Sequence, residues 1–522
     1  MQLKKVLPLI TITIIYLLWA ILPIRATPQH ALPQKLAAAP TYVSPFATCT
    51  LGGSGTIYTN AEVEPWVAVN PTNPNNIVAV WQQDRWSNGG ARGLVTSATH
   101  DGGLTWKQSW AHFSVCAGGN ASKDGAANLG SNYARVSDPW LAFAANGDLY
   151  QTGLAVTFSP LATAVLVSKS TDGGDTWGEP YVLQSDTDAR FFNDKEAITA
   201  DPHDFRYVYV VWDRLNQAKP AQNEQEQEQE AGTRAPAMFT RTTDAGRTWE
   251  TPRVIYDPGQ NNSTLANQIV VQPDGTLVNF FSESVTSPSR GRNAQSEVFM
   301  SLVRSTDKGK TWGKVVRAVK LSTHGARNPD TDKSIRALGI IPEVAVDPRN
   351  GTLYVVWQDA RFRKVYEVAF IQSTDGGATW STPIRVNQTP TSTTTMLNQQ
   401  AILPAIHVAA DGTVGVTYYD FRNNTPAAGV PTDYWLVACR PTPTQPCTDP
   451  LNWRYEHRLT KSSFDLAQAP TANNPATFFI GDYQGLANIG NSFFSLFIGV
   501  NNGKPDNPTS VFYTRITPSL VP

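Results

Sequence analysis

Tyr483 follows directly on Asp482, and Asp138, Asp194 and Glu196 occupy equivalent places in two earlier repeats of the chain. A phenol whose proton passes to a carboxylate can attack an acetal carbon, while a carboxylic acid protonates the leaving oxygen. On that chemistry Tyr483 is the expected nucleophile, Glu196 its base and Asp138 the acid. Five arginines, Arg85, Arg135, Arg214, Arg361 and Arg422, are expected on the same rim as Asp194 and Asp482. Glu62, Glu64, Lys195, Glu283 and Glu343 join them there. A guanidinium fork binds a carboxylate through two parallel hydrogen bonds, so the expected ligand is an acidic sugar. A structural reading competes. The strings Trp81-Gln-Gln-Asp84-Arg85, Trp212-Asp213-Arg214, Trp357-Gln-Asp359-Ala-Arg361 and Tyr419-Asp420-Phe-Arg422 repeat one theme. Such repetition fits one Asp–Arg bridge per unit, tying strand ends together.

These residues must be positioned by repeated strands. An octapeptide recurs at Thr99–Trp106, Ser170–Trp177, Thr242–Trp249, Ser305–Trp312 and Ser373–Trp380, at spacings of 63 to 72 residues. Each copy holds an Asp (Asp101, Asp172, Asp244, Asp307, Asp375) that can accept backbone N–H groups in a hairpin turn. A glycine two residues on supplies a backbone angle that a Cβ would penalise. Strand-like runs precede each copy, and a second pair lies upstream, as in Pro65-Trp-Val-Ala-Val leading to Ile77-Val-Ala-Val-Trp. Each unit therefore reads as four strands, A to D, with the octapeptide between C and D. Sheets of this kind cover one another when arranged radially. A sixth unit starts near Ala401, with Cys439 to Cys447 in place of the octapeptide and Trp453-Arg-Tyr-Glu-His-Arg as its return strand. A last unit from Phe478 to Ile516 lacks strand D, which the segment after Tyr42 is expected to donate. The expected fold is all-β, a single β-propeller of four-stranded antiparallel blades. Seven blades are preferred, with six the alternative if the terminal strands merge.

The octapeptide resembles the Asp-box, or BNR, repeat of the sialidase-like (neuraminidase superfamily) propellers. Five near-complete copies between residues 60 and 516 carry the resemblance. It implies a propeller, a glycan or glycoconjugate ligand and glycoside hydrolase chemistry of the exo-sialidase kind. The alternative is a non-catalytic Asp-box propeller that binds glycan or protein, since this repeat also occurs without enzymatic activity. Sialidases usually carry Arg-Ile-Pro before the first blade. Here the similar string Pro23-Ile24-Arg25 lies in the N-terminal segment.

Lys4 and Lys5 precede an apolar run from Val6 to Ile24, then small residues and prolines. Residues 1–26 read as a signal peptide, with an N-terminal anchor over 6–24 as the alternative. Residues 27–40 read as an Ala/Pro-rich linker and 41–522 as the propeller. Either reading puts the propeller outside the cytoplasm, secreted or anchored. Four cysteines in an exported chain suggest two disulfides, Cys439 with Cys447 and Cys49 with Cys116. The 522 residues include 16% charged residues at a net charge of -1, which gives no reason to expect nucleic acid. A monomer is expected. The seven histidines show no metal-ligand spacing, so no metal or other cofactor is expected. A structural Ca2+ among the rim aspartates is the one alternative. The Glu/Gln-rich stretch within 216–236 reads as a solvated loop.

Overall fold

The structure, a computed structural model, describes residues 34–35, 43–51, 53–119, 133–158, 160–217, 234–286, 296–391, 395–472 and 477–519. The expected signal or anchor segment and most of the Glu/Gln-rich stretch lie outside them. The described chain is all-β apart from short 3-10 turns. No helix among the described residues is long and apolar enough to cross a membrane.

Antiparallel sheets follow one another along the chain. The first holds Ile57–Val69, Ile77–Trp86, Ala91–Thr99 and Lys107–Ser109. The second, joined to the first by the pair Ala91 and Val136 so that the two are continuous, holds Arg135–Phe143, Leu149–Phe158, Leu161–Ser170 and Tyr181–Asp186. The third holds Phe191–Ala200, Val208–Asn216, Ala237–Thr242 and Arg253–Tyr256. The fourth holds Ser263–Val271, Leu277–Thr286, Ser296–Ser305 and Val316–Lys320. The fifth holds Glu343–Val346, Leu353–Asp359, Glu367–Ser373 and Ile384–Arg385. The sixth holds Ala401–Val408, Val414–Asp420, Pro431–Cys439 and Tyr455–Arg458. The last holds Gly485–Ile489, Ser492–Val500 and Thr509–Ile516. Second strands such as Val78–Trp81 and Leu353–Trp357 are apolar without interruption and wholly buried, because neighbouring sheets cover both their faces. The sheets are packed as the blades of a β-propeller.

One expectation is corrected. The fourth strand of the last sheet is not donated from beyond Tyr42. Gln34–Lys35, inside the segment read as a linker, pairs with Phe512 and Tyr513. Residues after Tyr42 are committed elsewhere: Ser44 donates to Asp84 Oδ2 at 2.8 Å, and Phe46 packs against Gly93.

The octapeptides form turns after the third strand of their sheets. In the first, Asp101 Oδ1 accepts from the N–H groups of Leu104 and Thr105 at 2.9 Å each, and Oδ2 accepts from Thr105 Oγ1 at 2.6 Å. Asp172, Asp244, Asp307 and Asp375 repeat this bonding. Each turn leans on the preceding sheet. Gly174 meets Val78 and Ala98, Gly309 meets Phe239, and Gly377 meets Leu302. The first turn leans on the last sheet, where Tyr513 Oη donates to Gly103 O at 2.8 Å. In the sixth sheet Trp453 packs edge-on to Phe370, as the octapeptide Trp312 does to Phe239. Disulfides join Cys49 to Cys116 and Cys439 to Cys447, as the sequence suggested.

Gly174 has φ +98, and a Cβ there would lie 2.8 Å from Val78 Cγ2. Gly174→Ala therefore combines left-handed strain with a clash at a sheet junction. It is expected to lower stability by about 2 kcal/mol, read as an earlier urea midpoint at unchanged slope.

Candidate active site

The first strands of the sheets share a defect. The register with the second strand slips between Val63 and Trp66, Ser137 and Trp140, Asp194 and Ala197, Leu265 and Gln268, and Ile402 and Ala405. Each slip is a β-bulge that re-aims a side chain. Its first extra residue is left-handed in every case: Glu64 (φ 52), Asp138 (φ 51), Lys195 (φ 51), Ala266 (φ 57) and Leu403 (φ 50). In the last sheet Gly481 (φ 121) precedes Asp482. Prolines at 65, 139 and 404 fill the second bulge position, where the ladder needs no N–H donor. The bulges thus carry charge in the first three sheets and apolar residues in the fourth and sixth. Non-glycine residues held at positive φ are costly, and they cluster at functional sites.

Glu64, Asp138, Lys195, Glu196, Asp482 and Tyr483 are all buried. Lys195 Nζ lies 2.9 Å from Asp482 Oδ2, 3.6 Å from Asp138 Oδ2 and 4.0 Å from Glu64 Oε1. Arg336 Nη2 donates to Asp482 Oδ2 at 2.9 Å. Gln82 bonds Glu64 and, at 2.9 Å, Ser137 Oγ, which donates to Asp138 Oδ1 at 2.9 Å. Arg85 Nη1 holds Gln82 Oε1 at 2.9 Å. Phe479 lies between two guanidinium groups, 4.6 Å from that of Arg85 and 5.0 Å from that of Arg336. Below the charges, Trp66 and Trp140 stack at 3.5 Å, and the Tyr483 ring packs on both at 6.1 and 5.5 Å.

Three groups in this cluster lack hydrogen-bond partners. They are the Tyr483 hydroxyl, both Glu196 carboxyl oxygens and Asp138 Oδ2. All three residues line one small cavity with Lys195, Asn267 and Gln268, leaving about 10 Å3 to the centre of a water molecule. Burial, then the charge of Asp138, pushes Glu196 well above the usual carboxylic range. Burial, then the charges of Glu64, Asp138 and Glu196, does the same to the Tyr483 phenol. Burial lifts Glu64 to about 8 against the pull of Lys195. For Asp482, burial is outweighed by Arg336 and Lys195, which hold it far below its ordinary value. For Lys195, burial is outweighed by Asp138, Asp482 and Glu64, which raise it.

The structure thus brings together Tyr483, Glu196, Asp138 and Asp482, with Asp194 adjacent, where it accepts from Lys195 N at 3.0 Å. Of the five arginines only Arg85 reaches the cluster. Arg214 pairs with Asp186, Arg361 with Asp359, and Arg422 with Asp420 and Glu456. Arg135 stacks on Trp86 at 4.4 Å and donates to Asn88 Oδ1, Gly89 O and Ser54 O. Asp359 and Asp420 sit only two residues before their arginines, so a local bridge forms before any side chain can reach the axis. Sequence reasoning missed Arg336 and Phe479, which lie outside the repeated strands and carry no periodic signal. It noted Glu64 and Lys195 without a role, although their places in the bulge alignment single them out. Among the described residues, no group of three His, Cys, Asp or Glu is placed to hold a metal ion.

Fold and site together define a β-propeller with a buried ionisable cluster near its axis. No family model matches the chain, and no curated protein matches it. Solved structures resemble it remotely, among them the following three. A protein of unknown function from Dyadobacter fermentans is 14% identical, with 73% of this chain and 94% of that one covered and a TM-score of 0.44. The α-L-arabinofuranosidase of Fusarium graminearum, solved with arabinobiose, is 10% identical, with 94% and 98% covered and a TM-score of 0.44. A leech intramolecular trans-sialidase is 11% identical, with 91% and 70% covered and a TM-score of 0.42.

Proposed function

We propose that the chain is an exported, seven-bladed glycoside hydrolase acting on an acidic, sialic-acid-type glycan. The observation that carries the reading is that Tyr483 Oη, the Glu196 carboxyl and Asp138 Oδ2, the last facing only the Lys195 ammonium at 3.6 Å, have no hydrogen-bond partner around one axial cavity. Burying polar groups without partners is costly, and a site that performs proton transfer accounts for the cost. The reaction needs the Glu196–Asp138 pair in the form with its proton on Asp138, against the burial that favours a protonated Glu196. In that form Tyr483 Oη attacks the anomeric carbon as Glu196 takes its proton. Asp138 protonates the departing glycosidic oxygen. Water then attacks the glycosyl-tyrosine, giving a proton to Asp138, and the tyrosine recovers its own from Glu196. Arg85, Lys195 and Arg336 supply the positive field that suits a carboxylated sugar. Seven blades are supported by the contacts of first strands, which run from sheet to neighbouring sheet and return from Gly485–Ile489 to Ile57–Val69. Glu62 Oε2 also accepts from Val511 N, joining the first sheet to the last.

A second reading, a non-catalytic propeller binding glycan or protein, has one observation in its favour. The cluster is closed, with room for about one water, and Asp482 is already satisfied by Lys195 and Arg336. The test is hydrolysis of fluorogenic sialosides, uronides and neutral arabinofuranosides by the purified protein. The expected result is turnover of an acidic member of the panel. Turnover of none would leave the binding reading, and turnover of the arabinofuranoside alone would remove the acidic specificity.

A further inference from the structure

On the face that carries the octapeptide turns, the propeller axis opens into a second and larger cavity of about 530 Å3. Every sheet's first strand, or the turn after it, contributes to its wall, from Trp66–Pro71 in the first to Leu486–Gly490 in the last. The side chains of the wall are mainly apolar, although polar atoms share its surface almost equally. Among its described residues Glu343 and His407 alone are ionisable, and none is Lys or Arg. Glu343 is 4% exposed, and its Oε1 has no hydrogen-bond partner. The Trp66 and Trp140 indoles line the same wall.

A buried carboxyl with one unpartnered oxygen, in a chamber whose wall also carries indole surface, has the chemistry of a cation site. A carboxylate supplies the counter-charge, and indole π-surface attracts a cation by its quadrupole. A metal ion fits poorly, since Ca2+ or Mg2+ needs six or more oxygen ligands or retained waters, and only one carboxyl stands here. The volume falls in the range of small-molecule sites. We infer that this axial chamber binds a small organic ammonium ion, with Glu343 as its counter-ion and Trp66 and Trp140 as its aromatic wall. The inference does not depend on hydrolysis at the other end of the axis.

Burial pushes Glu343 up to about 8, opposed by a hydrogen bond from Gln268. Near neutral pH the empty site is therefore protonated, and a bound cation displaces that proton. His407, on the neighbouring sixth sheet, is lowered to about 4 by burial and stays neutral throughout. Tyr434, on the third strand of that sheet, is the other titratable group coupled to Glu343, and it is raised above its ordinary value.

The test titrates choline chloride into the whole protein by calorimetry, against NaCl at matched ionic strength, in two buffers of different ionisation enthalpy. Saturable binding with release of about one proton is expected, its affinity rising about tenfold from pH 6 to pH 7. Glu343→Gln should weaken it at least about tenfold and abolish the pH dependence. Ala68→Phe, which fills the chamber and leaves Glu343 intact, should also abolish binding. Circular dichroism melts check that both variants fold. No saturable heat, an equal response to NaCl, or undiminished pH-independent binding by Glu343→Gln would each overturn the inference.

Discussion

Lys195→Met will lower the unfolding free energy by about 3–5 kcal/mol at pH 7.5, the cost of removing one partner from a buried ionic cluster. Lys195 stands within 4.0 Å of three carboxyls, and none of them can recover hydration when it is lost. Arg336 still reaches Asp482, whereas Asp138 and Glu64 both lose the lysine ammonium. The pH dependence carries the signature. Asp482 is depressed in the fold, so its contribution is present above its unfolded value and is lost as pH falls through the folded one. Lys195 is raised, so its contribution is present below its unfolded value and is lost only as pH rises through the folded one. Glu64 runs the other way. Raised to about 8, it holds its proton more tightly in the fold, so stability declines as pH rises from 4.5 towards 8. Without Lys195, Asp138 and Glu64 lose a compensating charge, and protonation at lower pH relieves that loss. The damage should therefore shrink between pH 7.5 and pH 4.5, as urea unfolding at both values would record. An equal loss at both would mean that the lysine acts through packing.

Tyr483→Phe will separate catalysis from structure. The phenylalanine ring keeps the contacts with Trp66 and Trp140 and removes a buried hydroxyl that bonds to nothing. The melting temperature should stay or rise, because an unsatisfied buried polar group is destabilising. Hydrolysis should fall by at least about a thousandfold, since nucleophile and proton source vanish together. Glu196→Gln should fall comparably. Arg361→Gln and Arg422→Gln should change kcat by less than about threefold and act instead on stability, because each guanidinium is bound to carboxylates of its own sheet. A large kcat loss in either arginine variant with Tyr483→Phe unaffected would move the site to the rim.

The repeats made the architecture legible. A turn that needs an Asp, a left-handed glycine and a following Trp announces itself each time it recurs. The paired cysteines followed from an even count in a chain read as exported, and the neighbourhood of Tyr483, Glu196 and Asp138 from placing strand starts on one face. What the sequence concealed are exceptions to the repeat. The arginines after Trp357 and Tyr419 looked like a converging set, but an Asp two residues away is a nearer partner than any ligand. Arg336 and Phe479 come from connections with no counterpart in other units, so nothing in the pattern aims them at the axis. Lys195 was visible only as a place in an alignment of bulges, where five of the units put Glu, Asp, Lys, Ala and Leu at one strained position. Glu343 was noted as a rim residue, whereas the strand following its proline carries it to the opposite chamber.

The most direct test of the catalytic assignment is peptide mapping by mass spectrometry after incubation with a fluorinated, activated glycoside of whichever sugar the protein turns over. A single glycosyl adduct on Tyr483, absent from Tyr483→Phe, is the expected result. An adduct on a carboxylate, or full turnover by Tyr483→Phe, would contradict it.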